Sequence, residues 1–213
     1  MPSDFPPVCV ASHRRSGTDL TLDSLTNNFN ELSKGFGNLD WDDENQLGFP
    51  LFKTHAHGLH APKNIANSCK VIYVVRDCHD VMVSLYFYAK GCDKSLEGVS
   101  FADFLNMENP YDKDTYNQPM NRVEYWAFHV NSWIDQNKFD CLFIGYDDWK
   151  KDFNQTISKV SDFLEVPPKS KLRNMVMSRP ETFIDKVLRK TGWSGRTQIG
   201  FRSGKTGGLE RLF

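Results

Sequence analysis

Lys70-Val71-Ile72-Tyr73-Val74-Val75-Arg76 is an almost continuous apolar run closed by a cation. Apolar residues at consecutive positions, rather than alternate ones, mean that neither face of the strand meets water. That pattern belongs to a parallel sheet covered by helices on both sides. This run is therefore read as the central strand.

The flanking segments fit the same plan. Downstream, Asp77 or Asp80 can cap a helix that carries Val81, Leu85 and Tyr88 on one face. Upstream, Val8 to Ser12 is a short apolar strand, then a small polar turn, then Leu22, Leu25, Phe29 and Leu32 at helical spacing. Phe49 to Thr54 gives a further strand. Met120, Val123, Trp126, Val130 and Trp133 mark a helix after Pro119. Cys141 to Tyr146 reads as another buried strand, and Phe153, Ile157, Val160 and Leu164 line a helix that ends before Pro167-Pro168. Strands alternating with helices predict an α/β fold with a mainly parallel central sheet flanked by helices, with ligands at the carboxyl ends of the strands.

A chain of 213 residues suits one sizeable core, so residues 1–213 are read as a single domain. Hydrophobic residues at 39% and charged residues at 25% place it among packed globular proteins. A net charge of -1 argues against duplex nucleic acid as the main partner, and any anion site must be built locally. Cys9, Cys69, Cys78, Cys92 and Cys141 include no C-x-x-C pair, which suits reduced thiols better than a disulfide framework or a zinc site. The N-terminal residues carry no basic region followed by an apolar stretch, and no apolar run approaches membrane-spanning length. The expectation is a cytoplasmic protein without a membrane span.

Ser12-His13-Arg14-Arg15-Ser16-Gly17-Thr18 joins the first strand to its helix. Unpaired N–H groups and the helix dipole favour an anion there, Gly17 permits its close approach, and Arg15 adds a forked cation. Ser16 and Thr18 supply hydroxyl donors. The loop lacks the Gly-Lys of a Walker A sequence, so it is a phosphate loop of another kind. The competing reading is an ordinary turn in which Ser16 or Thr18 caps the helix.

Leu51-Phe52-Lys53-Thr54-His55 places a cation and an imidazole at another strand end. A histidine can accept an alcohol proton near neutral pH, and a lysine can offset charge on a departing phosphate. His55, His57 and His60 also form an H-x-H-x-x-H cluster with metal-ligand spacing.

Taken together these segments resemble the P-loop sulfotransferases, which use 3'-phosphoadenosine 5'-phosphosulfate (PAPS). In that family a strand ends in Arg and an Asp-Val-x-x-Ser segment follows. Arg76 and Ser84, within Val74-Val75-Arg76-Asp77-Cys78-His79-Asp80-Val81-Met82-Val83-Ser84, match position for position. The resemblance implies a P-loop NTPase-like sulfotransferase fold, with Arg76 and Ser84 on the 3'-phosphate. It also implies His55 as general base and Lys53 on the bridging oxygen of the leaving group, with Arg15 beside the transferring sulfuryl. Arg14, Arg15, Ser16, Gly17, Thr18 and Asp19 would border the 5' end. Tyr146, in Phe143-Ile144-Gly145-Tyr146-Asp147-Asp148, aligns with a late strand-end Tyr near the adenine. Phe201-Arg202-Ser203-Gly204-Lys205-Thr206-Gly207-Gly208 resembles the glycine-rich segment that closes over the nucleotide, giving Arg202, Ser203 and Gly204 as further contacts.

The matches run in order from residue 12 to the last residue, with departures. Asp19-Leu20 stands where many cytosolic members have Thr-Trp, Arg15 replaces a Lys, and Ser203 replaces another. The implied reaction is in-line sulfuryl transfer to a hydroxyl of a small molecule, glycan or lipid. It needs no metal, releases adenosine 3',5'-bisphosphate, and has acceptor walls drawn from Phe87, Tyr88 and the Gly91 to Tyr116 insertion. The chain stops at Phe213 before any vertebrate-type dimer motif, so a monomer or a different dimer is expected. Two other functions remain open at this point: a P-loop kinase moving phosphoryl from ATP, and a catalytically idle nucleotide-binding module.

Overall fold

The computed structural model describes residues 5–38, 49–60, 69–111 and 118–176. They fall into two compact units. One holds the chain up to Arg76 together with the residues from Trp126 on, and the other holds Asp77–Tyr125.

The first unit is built on a five-stranded sheet. Its strands are β1 (Val8–Ser12), β2 (Gly37–Asn38), β3 (Leu51–Thr54), β4 (Lys70–Val75) and β5 (Asp140–Gly145), in the order β2-β3-β1-β4-β5. Every pairing is parallel. The sheet is thus parallel throughout the described residues, as the unalternating apolar runs predict.

Strand pleating sorts the apolar side chains onto two faces. Val8, Val10, Leu51, Ile72, Val74 and Ile144 meet Leu22 and Leu25 of α1 (Thr18–Asn28), Trp149 of α5 (Asp148–Lys151), and Phe153, Ile157, Val160 and Leu164 of α6 (Phe153–Leu164). Cys9, Ala11, Val71 and Tyr73 point the other way and pack with Trp133 and Val130 of α4 (Arg122–Ile134). Burial of the alternating residues on opposite sides is the physical content of the run at 70–76.

Four details differ from the sequence reading. The middle strand is β1, with β4 beside it. β5 has one neighbour among the described residues, and its Phe143 is 42% exposed, so among the described residues this strand is an edge rather than a buried element. Helix α1 stops at Asn28 because Phe29 turns to extended backbone; Phe29 and Leu32 lie beyond the helix yet stay fully buried in the same core. Met120 lies outside α4, which starts after Asn121. The Asn121 side chain accepts from the Val123 and Glu124 amides, while Glu124 reaches back to the Asn121 amide. This reciprocal cap sets the helix start.

The second unit is helical, with α2 (Cys78–Cys92) and α3 (Phe101–Asn106) around Leu85, Tyr86, Leu96 and Phe104. Asp77, not Asp80, caps α2, accepting from the His79 and Asp80 amides. Arg122 is buried against the Phe104 ring and donates from Nε to the Phe104 carbonyl, satisfying an acceptor in the last turn of α3.

Candidate active site

At the end of β1 the chain makes a tight loop before α1. The Ser16 amide donates to the His13 carbonyl at 3.2 Å, and His13 donates from Nδ1 to the Arg14 carbonyl at 2.9 Å. Two residues take left-handed backbone, Arg15 at φ 68 and Gly17 at φ 105. For a non-glycine residue that conformation costs about 1–3 kcal/mol and must be held by its surroundings. The Arg15 carbonyl accepts from Arg76 Nη1 at 3.3 Å. The loop is also stapled at its base, where the buried Ser12 and Thr18 hydroxyls lie 2.6 Å apart.

Gly17 is the position where glycine is required by space as well as by φ. A Cβ there would run into the Tyr146 ring. That ring, at the end of β5, lies under the Arg76 guanidinium at 4.4 Å from its centroid and under Lys150 Nζ at 4.7 Å. Arg76, Tyr146 and Gly17 therefore form one stacked wall. The Tyr146 amide ties that wall to β4 by donating to the Val75 carbonyl at 2.7 Å.

Inside the loop, the Ser16 hydroxyl is buried and has no hydrogen-bond partner among the described residues. No side chain caps the start of α1. An unsatisfied buried hydroxyl ordinarily costs about 1–3 kcal/mol. A phosphate or sulfate oxygen would satisfy both the hydroxyl and the helix terminus, so the residues fit an anionic group. The capped-turn alternative does not describe this loop: Thr18 bonds to Ser12, and Ser16 caps nothing.

β3 delivers Lys53 and His55 to the same sheet edge. Lys53 Nζ lies 5.7 Å over the Phe36 ring. His55 Nδ1 is 2.9 Å from the Ser12 carbonyl. A carbonyl can only accept, so Nδ1 carries the proton and Nε2 is the basic nitrogen of the neutral ring. Behind His55 stands a buried pair that sequence reasoning missed. His129 Nε2 lies 3.0 Å from the His55 carbonyl, and His129 Nδ1 lies 2.9 Å from the Tyr73 hydroxyl. Burial holds His129 well below its usual pKa, with the neighbouring His13 adding to the effect, and it pushes the Tyr73 phenol up. His129 is therefore neutral and donates to His55, and Tyr73 donates to it. The available signal was the recurrence of His129, Ser132 and Trp133 on one face of a helix.

Within the histidine cluster, His57 is buried against Phe128 with ring centroids 4.9 Å apart. Among the described residues no three His, Cys, Asp or Glu side chains are grouped to hold a metal ion. Arg14 is half-buried in the loop, and Asp19 is exposed in the first turn of α1. Ser84 belongs to the second unit, on the buried side of α2. Arg202, Ser203 and Gly204 lie outside the described residues. No helix among the described residues is long and apolar enough to cross a membrane.

Comparison with known proteins gives this arrangement a context. A family model described as "Sulfotransferase domain" matches residues 6–190. Amine sulfotransferase of Oryctolagus cuniculus is 33% identical over 126 residues, which are 58% of this chain and 39% of that protein. The chain spans well under half the length of the curated relatives it matches. Mouse sulfotransferase SULT7A1 complexed with PAP shares the fold, with TM-score 0.68 and 22% identity over 98% of this chain and 78% of that one. Retinol dehydratase in complex with androsterone and the inactive cofactor PAP superposes with TM-score 0.57 and 21% identity, over 97% of this chain and 76% of that one.

Proposed function

The chain belongs to the sulfotransferase domain family, and from that premise we propose that it transfers the sulfuryl group of PAPS to a hydroxyl of a small-molecule acceptor. The observation that carries the reading is the loop after β1. A buried hydroxyl without a protein partner sits at an uncapped helix start, one strand away from an imidazole whose basic nitrogen is Nε2. An anion site and a base share one edge of the sheet.

In this reading Arg14, Arg15, Ser16, Gly17 and Thr18 hold the 5' end of the nucleotide, and the exposed Asp19 borders it. Arg76, Ser84 and Arg202 hold the 3'-phosphate, Tyr146 stands on the adenine side, and Ser203 and Gly204 belong to the covering segment. The acceptor oxygen attacks sulfur as the bond from sulfur to the bridging oxygen breaks. His55 Nε2 takes the acceptor proton, Lys53 and Arg15 offset the charge gathering on the bridging and sulfuryl oxygens, and adenosine 3',5'-bisphosphate leaves. Positioning and electrostatics supply the rate. The neighbour bound to androsterone supports a small-molecule acceptor, and Phe87 and Tyr88 on α2 are the aromatic candidates for its walls.

The test is label transfer from radiolabelled PAPS to a panel of phenols and alcohols, alongside calorimetric titration with adenosine 3',5'-bisphosphate. His55→Ala should lower turnover about 10²–10⁴-fold, the usual contribution of a general base, while the nucleotide binds as before. Near-parental transfer by His55→Ala would overturn the role of His55. A chain that transfers no label to any acceptor would overturn the function, whether or not it binds the bisphosphate.

A further inference from the structure

We infer that His129, fixed in one tautomer by Tyr73, is the positioning residue for the base His55. The inference rests on the reading of His55 as the base, and it assigns a role to two buried side chains that sulfuryl transfer itself does not require.

The proton directions follow from the acceptors. The His55 carbonyl has no proton to give, so His129 Nε2–H donates across 3.0 Å. Neutral imidazole has one proton, so His129 Nδ1 accepts from the Tyr73 hydroxyl across 2.9 Å. Tyr73 is anchored in the middle of β4 and His129 in α4, and both are fully buried. The chain of bonds ends on a carbonyl oxygen, so it cannot carry a proton to or from the His55 ring. What it can do is hold the His55 backbone.

That hold is extended by the same turn of α4. Trp133 donates from Nε1 to the Ala56 carbonyl at 3.0 Å, and the Ser132 hydroxyl accepts from the Gly58 amide at 2.8 Å. Residues 55, 56 and 58 are thus gripped by 129, 133 and 132. With its backbone fixed there, the His55 ring meets the Ser12 carbonyl through Nδ1–H at 2.9 Å, which makes Nε2 the basic nitrogen. His13, next to Ser12, packs edge-on against the His129 ring at 5.5 Å, so the same histidine also supports the residue that opens the anion loop. A partner that orients a functional imidazole by hydrogen bonding is a recognised device, and its loss at metal sites costs about 10–100-fold in activity.

Three variants separate positioning from bulk. His129→Gln keeps a donor near Nε2, His129→Leu removes it, and Tyr73→Phe removes the bond that sets the His129 tautomer. Each is checked for folding by melting and by titration with adenosine 3',5'-bisphosphate, and two readouts follow. The first is turnover. His129→Leu should lower kcat about 10–100-fold at unchanged KM for PAPS, whereas His129→Gln stays within a few-fold of the parent. The second is the His55 tautomer, read from two-bond nitrogen–proton couplings in the NMR of the full chain. It should be the Nδ1–H form in the parent and in His129→Gln, and a mixture in His129→Leu and Tyr73→Phe. A folded His129→Leu with parental kcat and an unchanged His55 tautomer would overturn the inference, as would a His129→Gln no better than His129→Leu. If His129→Leu does not fold, Tyr73→Phe with an unchanged tautomer overturns it. If the parent itself transfers no sulfuryl group, the proposed function falls, and the tautomer readout still decides whether His129 positions His55.

Discussion

Lowering the pH should loosen the sheet unit through His13, and the size of the effect can be worked out. His13 is 2% exposed, at the foot of the loop after β1, with its Nδ1–H on the Arg14 carbonyl. Burial lowers its pKa from 6.5 to about 3; the bond to Arg14 works against that shift, and the nearby His55 and Arg14 charges add to it. In the unfolded chain the ring protonates near its ordinary value. Between those two values the unfolded state binds more protons, so stability rises with pH there and is lost as pH falls through about 6.5 toward about 3. From pH 8 to pH 5 the loss from His13 alone is about 2 kcal/mol, set against the 5–15 kcal/mol typical of a folded domain. In a unit of this size that corresponds to roughly 4–8 °C in Tm. His129, also held neutral by burial, acts in the same direction. The assay is urea unfolding followed by the fluorescence of the buried Trp133 and Trp149 at pH 8, 6.5 and 5. The comparison is His13→Asn, which keeps an N–H donor near Nδ1 but does not titrate. The variant should lose about 2 kcal/mol less than the parent between pH 8 and 5. Equal losses in the two proteins would refute the placement of His13 as a buried neutral ring.

Ser16→Ala should leave the ligand-free melting temperature unchanged or slightly raised, because it removes a buried hydroxyl that has no partner, yet weaken adenosine 3',5'-bisphosphate binding in titration; a structural serine would show the reverse. Gly17→Ala forces a side chain into left-handed backbone and against the Tyr146 ring, so it should cost about 1–3 kcal/mol in urea unfolding and abolish tight bisphosphate binding. Gly58→Ala drives a Cβ into the Ser132 carbonyl, a backbone atom that cannot swing away, and so displaces the segment that carries His55. Its expected signature is lost label transfer with bisphosphate binding retained.

Much of this arrangement is legible in the sequence because a parallel sheet converts order along the chain into position in space. The runs at 8–12 and 70–75 have no alternation, so they had to lie between helix layers, and they do. The polar residues that follow each run then fall at one edge. Three things were not legible. The edge position of β5 among the described residues depends on which strands pair, and its composition resembles that of β4 closely enough to hide the exposed Phe143. The end of α1 was overrun because Phe29 and Leu32 are core residues whatever their backbone, and burial alone imitates helical spacing. The role of His129 was not legible, since its partners are a tyrosine hydroxyl on β4 and a backbone carbonyl after β3. The spacing of His129, Ser132 and Trp133 marks a shared face of α4 but does not name these partners.

Strand order also explains why His55 lies beside the loop after β1. β1 and β3 are adjacent and in register from Val8 opposite Leu51 to Ala11 opposite Thr54, so the chain leaves both strands at nearly the same height. The residue after Thr54 therefore comes within hydrogen-bonding reach of the Ser12 carbonyl, and an imidazole placed there has its Nδ1 satisfied by the strand that leads into the Ser12–Thr18 loop. On the other side, β4 in register with β1 through Ser12 and Val74 brings Arg76 to the Arg15 carbonyl, and β5 in register with β4 brings Tyr146 under both Arg76 and Gly17. A slip of one residue in either pairing would turn each side chain to the opposite face. The loop, the placement of His55 and the stacked wall are thus three consequences of one register. Changes that weaken strand pairing far from this edge should for that reason impair nucleotide binding before they unfold the unit.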